Sequence, residues 1–199
     1  DDILPPLLVT FGLSIVLQNA LLEGFSADSQ RLLTDTLTTA SVQVGSISLG
    51  VMPLLTFASA ILVIVGLNQL FYRTSLGRAF RATSDDAVTA SLMGIKPANI
   101  FAVATGIALL IVTIAALYLW LRSNFVPNFG PALLIYAFEA VIIGGLGSLW
   151  GTLIGGIIIG VAQTVGAAIN PEWQILAGHI AFLVVLLIRP RGLFPRAHD

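Results

Sequence analysis

The chain has 199 residues, of which 57% are hydrophobic and only 10% are charged, and its formal net charge is −1. Soluble domains carry about 25% charged residues, so this composition predicts a membrane protein. A net charge near zero gives no reason to expect a nucleic-acid partner. Because cysteine is absent, disulfides, thiolate nucleophiles and cysteine metal sites are excluded. The sequence opens on Asp1 directly before an apolar run, and we expect a fragment of a longer chain.

Six apolar runs are each close to the ~20 residues that a helix needs to cross a bilayer. Their continuous hydrophobicity lacks the alternation that is typical of strands in a membrane barrel. The sequence therefore predicts an all-α, polytopic membrane protein in which residues 1–199 form a single transmembrane domain. The predicted spans are Pro5–Leu22, Val51–Tyr72, Ala98–Leu121, Ala132–Leu149, Trp150–Ile169 and Trp173–Ile188.

Lysine and arginine are distributed unequally between the two sides that six spans would define. One side would hold only Arg31 and Arg122, whereas the other would hold the loop 73–97 and the C-terminal tail. Since positively charged loops remain in the cytoplasm, the second side and both ends of the chain are predicted to be cytoplasmic. The basic residues on that side are Arg73, Arg78, Arg81, Lys96, Arg189, Arg191 and Arg196.

The loop 23–50 is predicted to be external. Within it the sequence SVQVGSISL alternates in polarity around Gly45 and Ser46. This alternation is typical of a small hairpin, which would lie on the membrane surface. An irregular loop is an equally good interpretation of the same residues.

The loop between the second and third spans contains the signals of a short helix. Thr83 or Ser84 is the predicted N-cap, and Asp85 and Asp86 would lie in the first turn, where the helix dipole favours negative charge. Gly94 is the predicted stop.

Val88, Leu92 and Ile95 would form an apolar stripe along this helix. A helix of two or three turns is unstable alone in water, so it must pack against something. The residues alone leave open whether it lies on lipid and neighbouring helices or inserts into a groove of a soluble partner.

The loop 73–97 resembles the cytoplasmic loop of permeases from branched-chain amino acid ABC importers. The matching residues are SLGRAFRAT, the acidic pair Asp85 and Asp86, Ala90, and MGI at 93–95. Three further motifs of that family follow in the same order along the chain. These are TFGLSIVLQN, IIGGLGSLWGTLIGGIIIG and IRPRGLFP, at 10–19, 142–160 and 188–195, so the resemblance covers nearly the whole sequence.

This resemblance implies an assembly with several partners. Two permease subunits, usually two related chains, form the pore, two cytoplasmic ATPases power it, and an external binding protein delivers the solute. The short cytoplasmic helix is then the coupling element that docks on the ATPase. The residues assigned to this coupling loop are Gly77, Arg78, Arg81, Asp85, Asp86, Val88, Ala90, Leu92, Gly94 and Ile95.

Glycines recur every fourth residue in the fourth and fifth spans. Small residues at this spacing let helix backbones approach closely, so we expect the glycines to contact protein rather than lipid. Tight packing of two helices and a face that slides during alternating access are both compatible with the pattern. The glycines in question are Gly144, Gly145, Gly147, Gly151, Gly155, Gly156 and Gly160.

Glu139 lies about two turns inside its predicted span, where a carboxylate is costly unless it faces protein or water. No basic residue within the spans is an obvious partner, so a role in the translocation path and a structural contact both stay open. Tyr136 occupies a position at which family members often carry lysine, and the identity of the solute is therefore not inherited safely. His179 is expected to be a satisfied structural group.

The sequence shows no nucleophile with a base, no metal-ligand cluster and no P-loop, so ATP hydrolysis would belong to another chain. The prediction is a permease subunit of the bacterial inner membrane that binds no cofactor. It would translocate branched-chain amino acids or a related small polar solute, such as urea or a short amide. The alternatives are an independent secondary transporter or channel, and an intramembrane enzyme for which no catalytic residues are visible.

Overall fold

The computed structural model describes residues 4–25, 40–44, 47–123 and 130–194. These residues form helices and one two-stranded hairpin. The elements are α1 (Leu4–Phe25), β1 (Ser41–Val44), β2 (Ile47–Gly50), α2 (Val51–Arg73), α3 (Ser75–Asp85), α4 (Ala87–Leu92), α5 (Pro97–Arg122), α6 (Gly130–Gly144), α7 (Leu149–Ile169) and α8 (Trp173–Ile188).

Four of the described helices, α1, α2, α5 and α7, are long and apolar enough to cross a membrane. Two more, α6 and α8, are apolar but shorter, with 15 and 16 residues. At 1.5 Å per residue these two extend about 22–24 Å, which is less than the ~30 Å hydrocarbon core. The prediction of an all-α, polytopic membrane fold is confirmed.

The predicted boundary of the fourth span is wrong. We expected a helix that continued to Leu149, but α6 ends at Gly144 and residues 145–148 form a turn. Gly145 and Gly147 have φ of 97° and 88°, in the left-handed region that interrupts a helix. The turn reverses the chain and lets α7 run back along α6.

Helices α6, α7 and α8 pack side by side through small residues. A Cβ added at Gly144 would lie 2.2 Å from the carbonyl carbon of Gly151, so the backbones of α6 and α7 are in direct contact. A Cβ at Gly166 would lie 2.5 Å from the Cβ of Ala177, which brings α7 equally close to α8. Shape complementarity of this kind associates helices where lipid supplies no hydrophobic drive.

The segment after α8 returns to the end of α6. The amide of Leu193 donates to the carbonyl of Ile143 at 2.8 Å, and the amide of Phe194 donates to that of Gly144 at 3.0 Å. These two carbonyls at the end of α6, which have no partner within the helix, are thereby satisfied.

The hairpin interpretation of the loop 23–50 is confirmed. Strands β1 and β2 are antiparallel, with Ser41 opposite Gly50, and the amide of Val51 donates to the carbonyl of Ala40 at 2.9 Å. The loop starts later than expected, because α1 continues to Phe25. The predicted turn at 45–46, most of the loop at 26–39, and the orientation markers Arg31 and Arg196 lie outside the described residues.

Candidate functional site

The loop 73–97 folds into two helices, and the predicted N-cap is wrong. Thr83 and Ser84 lie inside α3, which we did not predict, and Asp85 is its last residue. Asp86 is the actual N-cap of α4, with an extended backbone at φ −154° and ψ 104°. The break at Asp86 separates the two helices, so an acidic residue that we expected in a first turn instead begins the second helix.

The side chain of Asp86 satisfies the start of α4. Its Oδ1 accepts from the amides of Val88 and Thr89 at 2.9 and 3.2 Å, and its Oδ2 accepts from the Thr89 hydroxyl at 2.5 Å. The hydroxyl of Thr89, followed by the two amides, holds the pKa of Asp86 below its ordinary value of 3.8. The carboxylate is therefore ionised at neutral pH and stabilises the N-terminus of α4.

Helix α4 presents an exposed apolar surface, which we call the apolar tip: Val88, Leu92 and Met93. These side chains are 72%, 82% and 81% exposed, whereas Ala90 on the other side of the helix is 4% exposed. The predicted stripe needs one correction: Ile95 lies beyond the end of α4 and is only half-buried, and Met93 takes its place in the exposed surface.

The chain turns sharply after the apolar tip. Gly94 has φ of 84°, and the amide of Ile95 donates back to the carbonyl of Ala90 at 3.2 Å. Pro97 then occupies the first turn of α5, where its fixed φ favours the helix. The turn connects α4 to a membrane-length helix with only four residues between them.

A groove of about 550 Å³ lies beside the apolar tip, between α3 and α4. Its lining combines charged groups with apolar ones. Of the predicted coupling residues, the groove brings together Arg78, Asp85, Asp86, Ala90 and Ile95.

Gly77 and Arg81 lie at the junction of α2 and α3, away from the apolar tip. A Cβ added at Gly77 would lie 2.2 Å from the carbonyl oxygen of Phe71, so only glycine allows α3 to start this close to α2. The guanidinium of Arg81 donates to the same carbonyl and lies 5.4 Å from the centre of the Tyr72 ring. These residues fix the angle at which α3 leaves the end of α2.

Glu139 has a partner that the sequence did not reveal. Its Oε1 lies 2.5 Å from Nδ1 of His179, and its side chain is 8% exposed against 36% for His179. The Tyr136 ring stacks on the His179 ring at 5.6 Å, with 7° between their planes. The expectation of no basic partner within the spans is wrong, because 40 residues separate the two side chains and only the packing of α6 on α8 brings them together.

The predicted glycines fall into three groups. Gly144, Gly151 and Gly155 lie at direct backbone contacts between α6 and α7, and Gly145 and Gly147 form the turn. The last group faces open space in the described structure: a Cβ at Gly156 or Gly160 would meet nothing within 4 Å. Those two positions make no close contact within the described part of this chain, because they lie on the face of α7 that turns away from α6, and their contact with other protein stays a prediction.

The comparisons agree with the family resemblance. The family described as "Branched-chain amino acid transport system / permease component" matches residues 4–188. The permease protein BraD of Pseudomonas aeruginosa, from a high-affinity branched-chain amino acid transport system, is 34% identical over 198 residues. This alignment covers 96% of the chain and 64% of BraD.

Two further relatives are permease proteins of branched-chain amino acid transport. LivH of Escherichia coli K12 is 29% identical over 96% of the chain and 63% of LivH, and LivM of the same organism is 27% identical over 65% of the chain and 30% of LivM. The chain thus spans slightly less than two thirds of BraD and LivH. No solved structure matches it significantly. With nearly its whole length matched, the chain belongs to the permease-component family of branched-chain amino acid transport systems.

Proposed function

We propose that this chain is a transmembrane permease subunit of an ABC importer and that the apolar tip docks on a cytoplasmic ATPase. The observation that carries the proposal is the exposure of Val88, Leu92 and Met93, at 72–82%, on a helix that is capped and fixed at both ends. A capped helix with an exposed apolar surface is suited to insertion into a groove of a soluble partner. Such a surface would be unfavourable in water without one.

Movement of the tip would be transmitted to the membrane helices through short connections. On one side Asp86 alone separates α4 from α3, and on the other side four residues separate α4 from α5. Helices α4 and α5 are also in contact with each other, and each has a buried residue, Ala90 and Ile100 respectively. Force applied at Leu92 would therefore move α5 and α3 together, as alternating access requires.

The proposed orientation in the membrane follows from the distribution of lysine and arginine. Two contacts support the placement of the basic loop and the C-terminal segment on the same side. The cavity between α3 and the 145–148 turn brings Tyr72 near Ser148, and the C-terminal segment is bonded to Gly144 beside the same turn. The basic loop 73–97 and the C-terminal segment would then share the cytoplasmic side of a bacterial inner membrane.

The solute is proposed from the relatives. BraD and LivH are named as parts of branched-chain amino acid transport systems, and we infer a branched-chain amino acid or a related small polar solute for this chain. A second permease subunit and an external binding protein complete the proposed assembly. A translocation role for Glu139 and Tyr136 stays a prediction. Their contacts with His179 support a brace between α6 and α8 at least as well.

Co-purification tests the proposed docking. The full-length protein would be co-expressed with the ATPases of branched-chain amino acid ABC importers from the same organism, as wild type, Leu92→Asp and Leu92→Met. The first substitution places a charge in the apolar tip, whereas the second is a swap of similar volume that should be tolerated. We expect the ATPase to co-purify with wild type and Leu92→Met but not with Leu92→Asp, with all three present in the membrane. Full ATPase recovery with Leu92→Asp would refute docking through the tip.

A further inference from the structure

A cavity of about 350 Å³ lies at the membrane end of α2 and is distinct from the apolar tip. It is an open cavity that is bordered by the last turn of α2, one side of α3, and the turn that begins α7. Its walls combine aromatic rings with hydroxyl groups and one cation: Phe71, Tyr72, Phe80, Arg81, Ser84 and Ser148.

The cation is Arg81, and no carboxylate pairs with it. Its guanidinium is oriented by the carbonyl of Phe71 and by the ring of Tyr72. Among the described residues, no ion pair involves this side chain, although Asp85 lies one helical turn further along α3. Neither a carbonyl nor an aromatic ring neutralises a guanidinium, which has five donors and a permanent charge.

The start of α7 adds to the positive potential of the cavity. Ser148 caps this helix of 21 residues by accepting from the amide of Gly151 at 3.0 Å. The positive end of the helix dipole therefore lies at the cavity wall. Ser148 is an acceptor in this bond, so its own hydroxyl hydrogen remains available to a ligand.

The apolar part of the cavity indicates that an inorganic anion alone would not fill it. Phe71 and Phe80 stack edge to face, with centroids 5.4 Å apart, and Leu149 also lines the cavity. Helix α2 has 23 residues, about 34 Å, which is long enough for its last turn to reach the level of the lipid headgroups if the helix spans the bilayer. A ligand here meets a cation, hydroxyl donors and apolar walls at once.

We propose that this cavity binds the phosphate headgroup and the adjoining acyl chain of an anionic phospholipid. Arg81 and the Ser84 and Ser148 hydroxyls would hold the phosphate, while the two phenylalanine rings contact the chain. Basic pockets between membrane helices bind anionic headgroups elsewhere by the same forces. The bound lipid would neutralise Arg81 at the junction from which α3 and α4 project. The proposal depends neither on the solute nor on the ATPase.

The test is lipid binding to the purified full-length protein, measured by native mass spectrometry. The delipidated protein in detergent would be titrated with phosphatidylglycerol, and with phosphatidylcholine of the same acyl chains. The variants are Arg81→Gln, Ser84→Leu, which replaces a hydroxyl on the cavity wall by a larger apolar side chain, and the control Arg78→Gln. Arg78 is a cation on the same helix, but it lines the groove beside the apolar tip instead.

We expect wild type to prefer phosphatidylglycerol and Arg81→Gln to bind it about fivefold more weakly, the effect of one basic residue near a headgroup. Ser84→Leu should weaken binding as well, whereas Arg78→Gln should change it by less than about twofold. Millimolar inorganic phosphate should not displace the lipid.

Displacement by phosphate would overturn the proposal in favour of a small-anion site. Equal binding of both lipids, or equal losses in Arg81→Gln and Arg78→Gln, would also overturn it. If Arg81→Gln fails to fold, Ser84→Leu decides, because unchanged binding in that variant refutes a lipid in this cavity. None of these readouts depends on transport, so failure of the proposed function would not affect them.

Discussion

Two adjacent glycines in α7 offer a matched test of the helix packing. Gly155 faces α6, where an added Cβ would lie 2.1 Å from the carbonyl oxygen of Ala140 and 3.1 Å from the amide nitrogen of Gly144. Gly156 faces open space, where an added Cβ meets nothing within 4 Å. Gly155→Ala should therefore destabilise the protein, whereas Gly156→Ala should not.

The size of the stability loss in Gly155→Ala follows from the clash of the added Cβ with the backbone of α6. A separation of 2.1 Å is far shorter than the ~3.5 Å at which non-bonded heavy atoms pack favourably. Both contacting groups are backbone, so α6 and α7 must move apart, and overpacking of this kind costs about 1–3 kcal/mol. We take the upper end, because no flexible side chain can relieve the clash. Alanine recovers at most about 1 kcal/mol through its higher helix propensity. The net loss at Gly155 is about 2 kcal/mol, while Gly156→Ala should be neutral or slightly stabilising.

The assay is thermal unfolding of both variants in the same detergent, read by loss of the monodisperse peak in size-exclusion chromatography. For a protein of this size 1 kcal/mol corresponds to about 2–4 °C, so Gly155→Ala should lower the midpoint by about 4–8 °C. Equal midpoints for the two variants would show that α6 and α7 do not pack through Gly155 as described.

Three other predictions test the remaining parts of the site. Glu139→Leu should lower stability by about 1–3 kcal/mol by leaving His179 unpaired, and adding His179→Leu should recover part of this loss, whereas strictly additive thermal shifts would argue against a brace. Asp86→Ala should reduce ATPase co-purification and Asp86→Asn should preserve it, since asparagine is also a good N-cap. Because the pKa of Asp86 lies below 3.8, its capping contribution is present at higher pH and is lost only as pH falls through that lowered pKa. A change in ATPase recovery with the wild-type protein between pH 6 and 8 would therefore contradict capping by Asp86. Gly151→Leu should abolish the folded membrane protein, judged by its yield after detergent extraction, whereas Gly160→Leu should leave that yield near wild type, because only Gly151 contacts the neighbouring backbone.

The membrane class and the spans follow from sequence because they depend on local composition. A run such as Val51–Tyr72 has few stable alternatives to a helix in a bilayer, and the structure places α2 within one residue of it. The hairpin was recognisable from its alternation, although an irregular loop fitted equally well. The fourth span was less predictable. Its apolar residues continue through the turn, and the backbone conformation of Gly145 and Gly147 decides where the helix ends.

The candidate site was harder to predict from the sequence, because its geometry depends on tertiary packing. Thr83 or Ser84 was the predicted N-cap, but the structure continues α3 through both and places the cap at Asp86, a residue type that caps helices equally well. Glu139 pairs with His179, which is 40 positions away in the sequence, and no local sequence pattern predicts this contact. A single signal was present in the sequence: one embedded carboxylate and one embedded histidine are natural partners, because each is costly alone.

ATP-dependent uptake in proteoliposomes tests whether this chain serves as a permease subunit of an ATP-driven importer. The full-length protein would be reconstituted with its partner permease, ATPases and binding protein, and the uptake of radiolabelled leucine would be measured with ATP inside the vesicles. We predict that wild type and Leu92→Met accumulate leucine only with ATP, and that Leu92→Asp does not accumulate it. If uptake proceeds without ATP under an imposed proton gradient and persists in Leu92→Asp, the chain is not part of an ATP-driven importer that couples through the apolar tip. That result would indicate a secondary transporter.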